Sequence, residues 1–195
     1  MEQSNVSRRA FLAGTGAWVS VPVISGCVSN RVSAIGKPAQ RTFKVALVGC
    51  GGRGSGAVRD ITQAAARLGH KAVLVAAADF FQEKAAAVCK ANGCDEKFAF
   101  SGPLAYQKVM ESDAEIVLLA APPIFRPVHA AACVKAGKHI FAEKPVATDP
   151  AGLRQFLQTV EAAKAAKLSI LSGTCHRHNN RALRQIGPVR GGIIG

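Results

Sequence analysis

The chain has 195 residues, of which 49% are hydrophobic and 19% charged, and its formal net charge is +13. So apolar a composition excludes a disordered tail, a collagen-like chain or a coiled coil, and a domain of this length closes a core without disulfide staples. Its Lys and Arg are interspersed with acids and no aromatics interleave with them, so no nucleic-acid partner is expected; the positive excess suits an anionic cofactor or substrate instead.

Residues 1–37 read as an address and linker. Ser7-Arg8-Arg9-Ala10-Phe11-Leu12 sets an arginine pair before an uncharged stretch from Ala10 to Val28. Gly14, Gly16, Ser20, Pro22 and Gly26 dilute that stretch below what a stable membrane span needs. A basic start followed by a mildly apolar run is signal-peptide chemistry, and the paired arginines are similar to a twin-arginine export signal. The expected location is periplasmic or otherwise exported. Ile24-Ser25-Gly26-Cys27 also fits a lipobox, which makes Cys27 a candidate lipid anchor in competition with plain cleavage after Val32-Ser33-Ala34. Membrane contact is expected through this segment alone.

From Pro38 the pattern alternates. Phe43–Val48 is a short apolar run rich in β-branched residues, and Gly49 ends it. Val58, Ile61, Ala65 and Leu68 then recur at helical spacing. Ala72–Ala78 predicts a second buried strand, and 80–91 a helix stopped by Asn92-Gly93. Phe98–Phe100 predicts a short third strand, and Pro103 the first turn of a helix reaching Met110. Glu115–Ala120 is a strand ended by Pro122-Pro123, and Pro127–Ala136 a helix closed by Gly137. Lys138–Ala142 is a strand. Asp149 is placed to cap a helix carrying Leu153, Phe156, Leu157 and Val160 on one face, and Leu168–Ser172 is a last strand. Strands that are apolar throughout, alternating with amphipathic helices, predict an α/β fold: a doubly wound parallel sheet of the Rossmann kind. The expected domains are the signal segment at 1–37, a dinucleotide-binding domain at 38–175 and the start of a further region at 176–195.

Gly49-Cys50-Gly51-Gly52-Arg53-Gly54 fits G-x-G-x-x-G in the context that gives the pattern meaning, after a strand and before a helix. Gly49 permits the tight turn, Gly51 admits a pyrophosphate to the backbone, and Gly54 lets the helix pack on the sheet. Gly52 and Arg53 complete the phosphate-facing turn. Asp79 ends the second strand, where a carboxylate accepts hydrogen bonds from ribose hydroxyls and repels a 2′-phosphate. Phe80 and Phe81 follow, with no Arg or Lys expected nearby to hold that phosphate, so NAD is favoured over NADP. The alternative role for Asp79 is a helix cap, and the two coexist. Glu143-Lys144-Pro145 follows the strand at Lys138–Ala142. A lysine at that sheet edge is a candidate acid or hydrogen-bond donor to a substrate oxygen, its pKa lowered by burial.

The six cysteines include no CxxC pair and no zinc set, so no metal is expected. Cys50, Cys89, Cys94, Cys133 and Cys175 read as buried small apolar residues. His176 and His178 read as solvated or core-edge histidines rather than bases.

The Gly loop, Ala121-Pro122-Pro123, His129 and above all Ala136-Gly137-Lys138-His139-Ile140-Phe141-Ala142-Glu143-Lys144-Pro145 resemble the Gfo/Idh/MocA oxidoreductase family. Phe125-Arg126-Pro127 resembles its exported bacterial members. The resemblance implies NAD or NADP in a Rossmann domain and hydride transfer at a carbon of a sugar, cyclitol or related alcohol. It makes Lys144 the active-site lysine, sets Pro122, Pro123 and His129 beside the cofactor, and puts Glu143 near the nicotinamide ribose. It also implies a second domain that supplies most of the substrate pocket and commonly the oligomer contact. The sequence stops at Gly195, about where that domain is expected to begin. The expected function is therefore that of the nucleotide-binding half, with homo-oligomers expected of a full-length form. Two alternatives stay open: an NAD-dependent exported glycosidase of the same family, and a truncated dinucleotide-binding protein without catalysis.

Overall fold

A computed structural model describes residues 39–193. The arginine pair, Cys27, the cleavage positions and the rest of the 1–37 segment lie outside the described residues. Among those described, no helix is long and apolar enough to cross a membrane.

Six strands form one fully parallel sheet: β1 (Thr42–Val48), β2 (Lys71–Asp79), β3 (Ala99–Ser101), β4 (Ile116–Leu119), β5 (His139–Glu143) and β6 (Ile170–Gly173). Their order is β3-β2-β1-β4-β5-β6. Helices α1 (Gly52–Arg67), α2 (Gln82–Ala91), α3 (Ala105–Glu111), α4 (Arg126–Lys135) and α5 (Pro150–Ala165) lie between the strands, and α6 (Asn180–Arg190) follows them. This is the doubly wound fold that the alternating pattern predicts.

The continuous apolar runs have a physical cause. Successive strand residues point to opposite faces, and here both faces are covered. Ala46, Val48, Val117, Leu119, Ile140 and Ala142 join one core with Val109, Ala130, Cys133 and Phe156 from α3, α4 and α5. Val45, Leu47, Leu74, Ala77 and Leu118 join the other with Ala57, Val58, Ala85 and Val88 from α1 and α2. Small alanines dominate β2, which lets helices approach the sheet on both sides. At the opposite end of the strands from the cleft, exposed pairs link Arg41 to Glu115 and Lys44 to Asp113. Such pairs contribute little stability; they mark the solvated edge.

Several local expectations are corrected. Leu68 lies beyond the α1 stripe at 72% exposure, because the helix ends at Arg67 and Leu68 is its C-cap. Leu153 and Leu157 are exposed while Phe156 is buried, so α5 meets the sheet along a narrower stripe than its apolar residues cover. Pro103 sits in the turn before α3, which starts at Ala105. Asp149 caps α5 as expected, its Oδ1 accepting from Gly152 N at 2.8 Å. α6 is capped by Asn179 yet buries no residue.

Candidate functional site

Strand β1 delivers the chain to Gly49 at the carboxyl end of the sheet. Gly49 adopts φ +97°, and a Cβ there would lie 2.3 Å from Ala121 N, so no other residue fits. A Cβ on Gly54 would lie 1.9 Å from the Gly49 carbonyl oxygen, which shows how closely α1 rests on the turn. Gly51 and Gly52 differ: a Cβ on either would meet nothing within 4 Å. The turn is therefore tight on its inner side and open on its outer side. Gly51 is the N-cap of α1, without a side-chain cap and without an acid in the first turn. The first-turn N–H groups and the positive end of the helix dipole thus face an open concavity suited to an anion.

Asp79, at the end of neighbouring β2, faces that turn. Its Oδ2 accepts from Cys50 N at 2.7 Å and its Oδ1 from Phe81 N at 3.1 Å. The carboxylate thus braces the glycine turn against the β2 loop, and each oxygen keeps a lone pair for a ligand hydroxyl. The helix-cap alternative is not realised: the N-cap of α2 is Phe81. Burial, then the Asp79 charge, pushes the neighbouring Cys50 thiol up to about 12.

A cleft of about 420 Å³ opens between these loops. Gly49, Gly51, Asp79, Pro122 and His129 line it together, with Phe81, Tyr106 and Phe125 as apolar walls. Lys84 also lines it, its ammonium 4.6 Å from the centre of the Phe81 ring. This corrects the expectation that no cation lies near Asp79: the first turn of α2 returns to the β2 end, which spacing alone does not reveal. His129 is 7% exposed, between Tyr106 at 4.4 Å and Phe125 at 6.0 Å between ring centres. Burial, then the Arg126 charge, lowers its pKa to about 4, so it presents a neutral ring.

A second, smaller cleft of about 140 Å³ lies at the ends of β5 and β6, lined by Arg53, Phe141, Glu143, Gly173, Cys175 and His178 among others. Arg53 Nε donates to Glu143 Oε1 at 2.6 Å, which with burial opposing raises the guanidinium pKa further. Through Nε, Arg53 bridges α1 to the end of β5. Cys175 is exposed, contrary to its reading as a buried apolar residue, because it opens a short 3-10 turn (Cys175–His178) beyond the end of β6; Cys50, Cys89 and Cys133 are buried and Cys94 half-buried. His178 is exposed.

Lys144 is exposed, and no hydrogen bond among the described residues engages it. Its expected burial is thereby corrected: Glu143 is the last buried residue of β5 and the chain leaves the sheet after it. Lys144 and Pro123 belong to neither cleft wall, and Gly52 and Gly54 lie on the turn behind the first.

Arg126 is the residue that sequence reasoning missed. It is 2% exposed at the start of α4. Its NH1 donates to the carbonyls of Glu143 and, at 2.6 Å, Pro145, and its NH2 to the carbonyl of Ala121. Burial lowers its pKa, against the opposing charge of Glu143. A single arginine amid Pro122-Pro123-Ile124-Phe125 and Pro127-Val128, just past a strand end, was the available signal.

A family model described as an oxidoreductase family with an NAD-binding Rossmann fold, Gfo/Idh/MocA, matches residues 43–170. No curated protein matches the chain. Among solved structures, the chain is similar to the WlbA dehydrogenase from Bordetella pertussis in complex with NADH and UDP-GlcNAcA: 25% identity over 78% of this chain and 42% of that one, TM-score 0.63. It shares its fold with apo scyllo-inositol dehydrogenase from Lactobacillus casei, at 24% identity over 80% and 43%, TM-score 0.64. The same holds for a point mutant of KijD10, a 3-ketoreductase from Actinomadura kijaniata, in complex with TDP-benzene and NADP, at 19% over 79% and 45%, TM-score 0.63. The chain spans less than half the length of each of these proteins.

Proposed function

The chain belongs to the Gfo/Idh/MocA oxidoreductase family, and from that premise we propose that it binds NAD across its two clefts and serves hydride transfer at a carbon of a sugar, cyclitol or related alcohol. The observation that carries the reading is the pairing of an open glycine turn with Asp79. The turn leaves no Cβ contact on its outer side at Gly51 and Gly52, as a close-approaching diphosphate requires. Asp79 is held by two backbone N–H groups with lone pairs to spare for ribose hydroxyls.

When bound, the nicotinamide supplies the hydride acceptor or donor. The protein's own residues do the rest. The α1 N–H groups hold the diphosphate, Asp79 holds the adenosine ribose, and Phe81, Tyr106, Phe125 and His129 enclose the base in a largely apolar cleft. Glu143, 6% exposed at the end of β5, faces the ribose on the nicotinamide side. Lys144 stands one residue beyond, where its ammonium donates to a substrate oxygen and relays its proton. Asp79 favours NAD over NADP by repelling a 2′-phosphate, and Lys84 partly offsets that repulsion. The substrate is a small sugar-like molecule, as the nucleotide sugar and inositol names of similar proteins suggest. We further propose the division into a signal and linker at 1–37, a dinucleotide domain at 38–175 and a following region, with export by the twin-arginine route and Cys27 as the lipid anchor if one is used.

Titration with NAD tests the reading: saturable binding is expected, and Asp79→Ala should weaken it by about 1–3 kcal/mol through loss of the ribose hydrogen bonds. Equal affinity in the two proteins would overturn the ribose assignment.

A further inference from the structure

We propose that Arg126 is the positioning residue for Lys144, fixing the lysine's turn against the wall of the dinucleotide cleft. The inference rests on the dinucleotide reading above and concerns a side chain that reading does not use.

Arg126 is buried, and among the described residues it forms no ion pair with a carboxylate. Its donors go to main-chain carbonyls: NH1 to Glu143 and Pro145, NH2 to Ala121. Nε has no partner. Removing a guanidinium from water is expensive, and an apolar side chain of similar volume would generally fill such a place at lower cost. Stability therefore does not explain the residue. What a guanidinium alone supplies is a rigid planar fork with several donors in fixed directions.

The three carbonyls belong to two separate turns. Ala121 follows β4 and lines the first cleft beside Pro122. Glu143, the last residue of β5, and Pro145 flank Lys144 on both sides. β4 and β5 are neighbours, but their pairing stops at Leu119–Ala142. Beyond that register the sheet no longer ties the two turns together. Arg126 takes over there and bonds the residue before Lys144, the residue after it and the cofactor-side turn at once. The backbone of Lys144 is thereby held while its side chain remains exposed and free to reach a ligand. A lysine at position 126 would keep the charge, but its single ammonium lacks the planar fork that spans both turns.

The test reads Lys144 itself. The full chain is acylated with a small neutral amine reagent, with and without saturating NADH, and the rate at Lys144 is followed by peptide mass spectrometry. In the wild type NADH should slow acylation of Lys144 at least fivefold. In Arg126→Lys that protection should fall below twofold, while affinity for 5′-AMP, which occupies only the adenosine side, stays within twofold. Arg126→Met should behave the same way; if it fails to fold, as thermal unfolding would reveal, Arg126→Lys decides alone. Full protection in a folded Arg126 variant would overturn the proposal, as would a loss of 5′-AMP affinity parallel to the loss of protection, which marks a general structural role. If NADH binds the wild type but leaves Lys144 unprotected, the placement of Lys144 beside the nicotinamide fails, and this inference with it. If the wild type binds neither 5′-AMP nor NADH, the dinucleotide reading itself has failed.

Discussion

The two clefts are built differently. The first lies where β1, β2 and β4 end in the middle of the sheet, and its shape is set by backbone against backbone. The Gly49 turn has room for no methyl group because Ala121 N is already there. The second lies at the β5–β6 edge, and its walls are largely side chains and a loop. A Cβ on Gly173 would meet the Phe141 ring at 3.1 Å and Glu143 Oε1 at 3.2 Å, both ends of side chains. Leu171 beside it is 63% exposed. A site formed by main chain is fixed once the sheet folds, whereas a site formed by side chains at an edge takes its final shape from whatever covers it.

One methyl group is the sharpest way to break this contrast. Gly49→Ala is expected to destabilise the fold by about 3 kcal/mol or more, since strain at positive φ adds to a backbone clash. Gly173→Ala should cost about 1 kcal/mol or less, because its neighbours can turn aside. Thermal unfolding of the pair measures the difference, and similar losses would dissolve the distinction between the clefts. Next in size is an acid transition at His129. The fold holds this ring neutral with a pKa of about 4, against 6.5 for the free residue. Above pH 6.5 the ring is neutral in both folded and unfolded chains and contributes nothing to pH dependence. As pH falls from 6.5 towards 4 the unfolded chain takes up the proton and the folded one resists it. Stability should therefore fall by an amount on the order of 3 kcal/mol across that window. His129→Phe should flatten it in denaturant titrations at pH 7 and pH 4.5.

Asp79→Asn tests the bracing of the first cleft. The amide keeps one oxygen to accept from Cys50 N or Phe81 N but loses the charge and the second acceptor, so a loss of about 1–2 kcal/mol is expected in thermal unfolding. An unchanged melting temperature would mean that the glycine turn stands without its brace. The smallest effect belongs to the second cleft and is chemical. Cys175 is exposed, whereas burial pushes the Cys50, Cys89 and Cys133 thiols up to about 12. Iodoacetamide at pH 8 should label Cys175 well before these three, with no measurable change in stability. Labelling Cys50 at a comparable rate would show the first cleft to be the looser one.

Much of this architecture is legible in the sequence. Strands buried on both faces must be apolar throughout, so β1, β2, β4 and β5 stand out within a residue or two of their ends. The Gly49 and Gly54 roles follow from the motif because sterics permit nothing else. Other features lie beyond local pattern. Lys84 and Asp79 line the same cleft, a meeting of helix start and strand end that residue spacing does not reveal. Arg126 gains its role from three carbonyls in two turns, none of them visible to residue spacing. The periodicity of α5 includes Leu153 and Leu157, but amphipathicity says which residues prefer burial and not how much surface a partner covers.

The strand order has a consequence for how the domain is made. The first of these strands to leave the ribosome, β1, ends up near the centre of the sheet, between β2 and β4. On one side its partner β2 follows after a single helix. On the other, Val45–Val48 await Ile116–Leu119, about 70 residues later. At elongation speeds of roughly 5–20 residues per second, that is an interval of about 4–14 s. Throughout it a strongly apolar strand presents an unpaired edge, the feature by which nascent chains pair with one another. The hazard of misassembly is thus concentrated in one stretch of translation time, and it closes when β4 arrives.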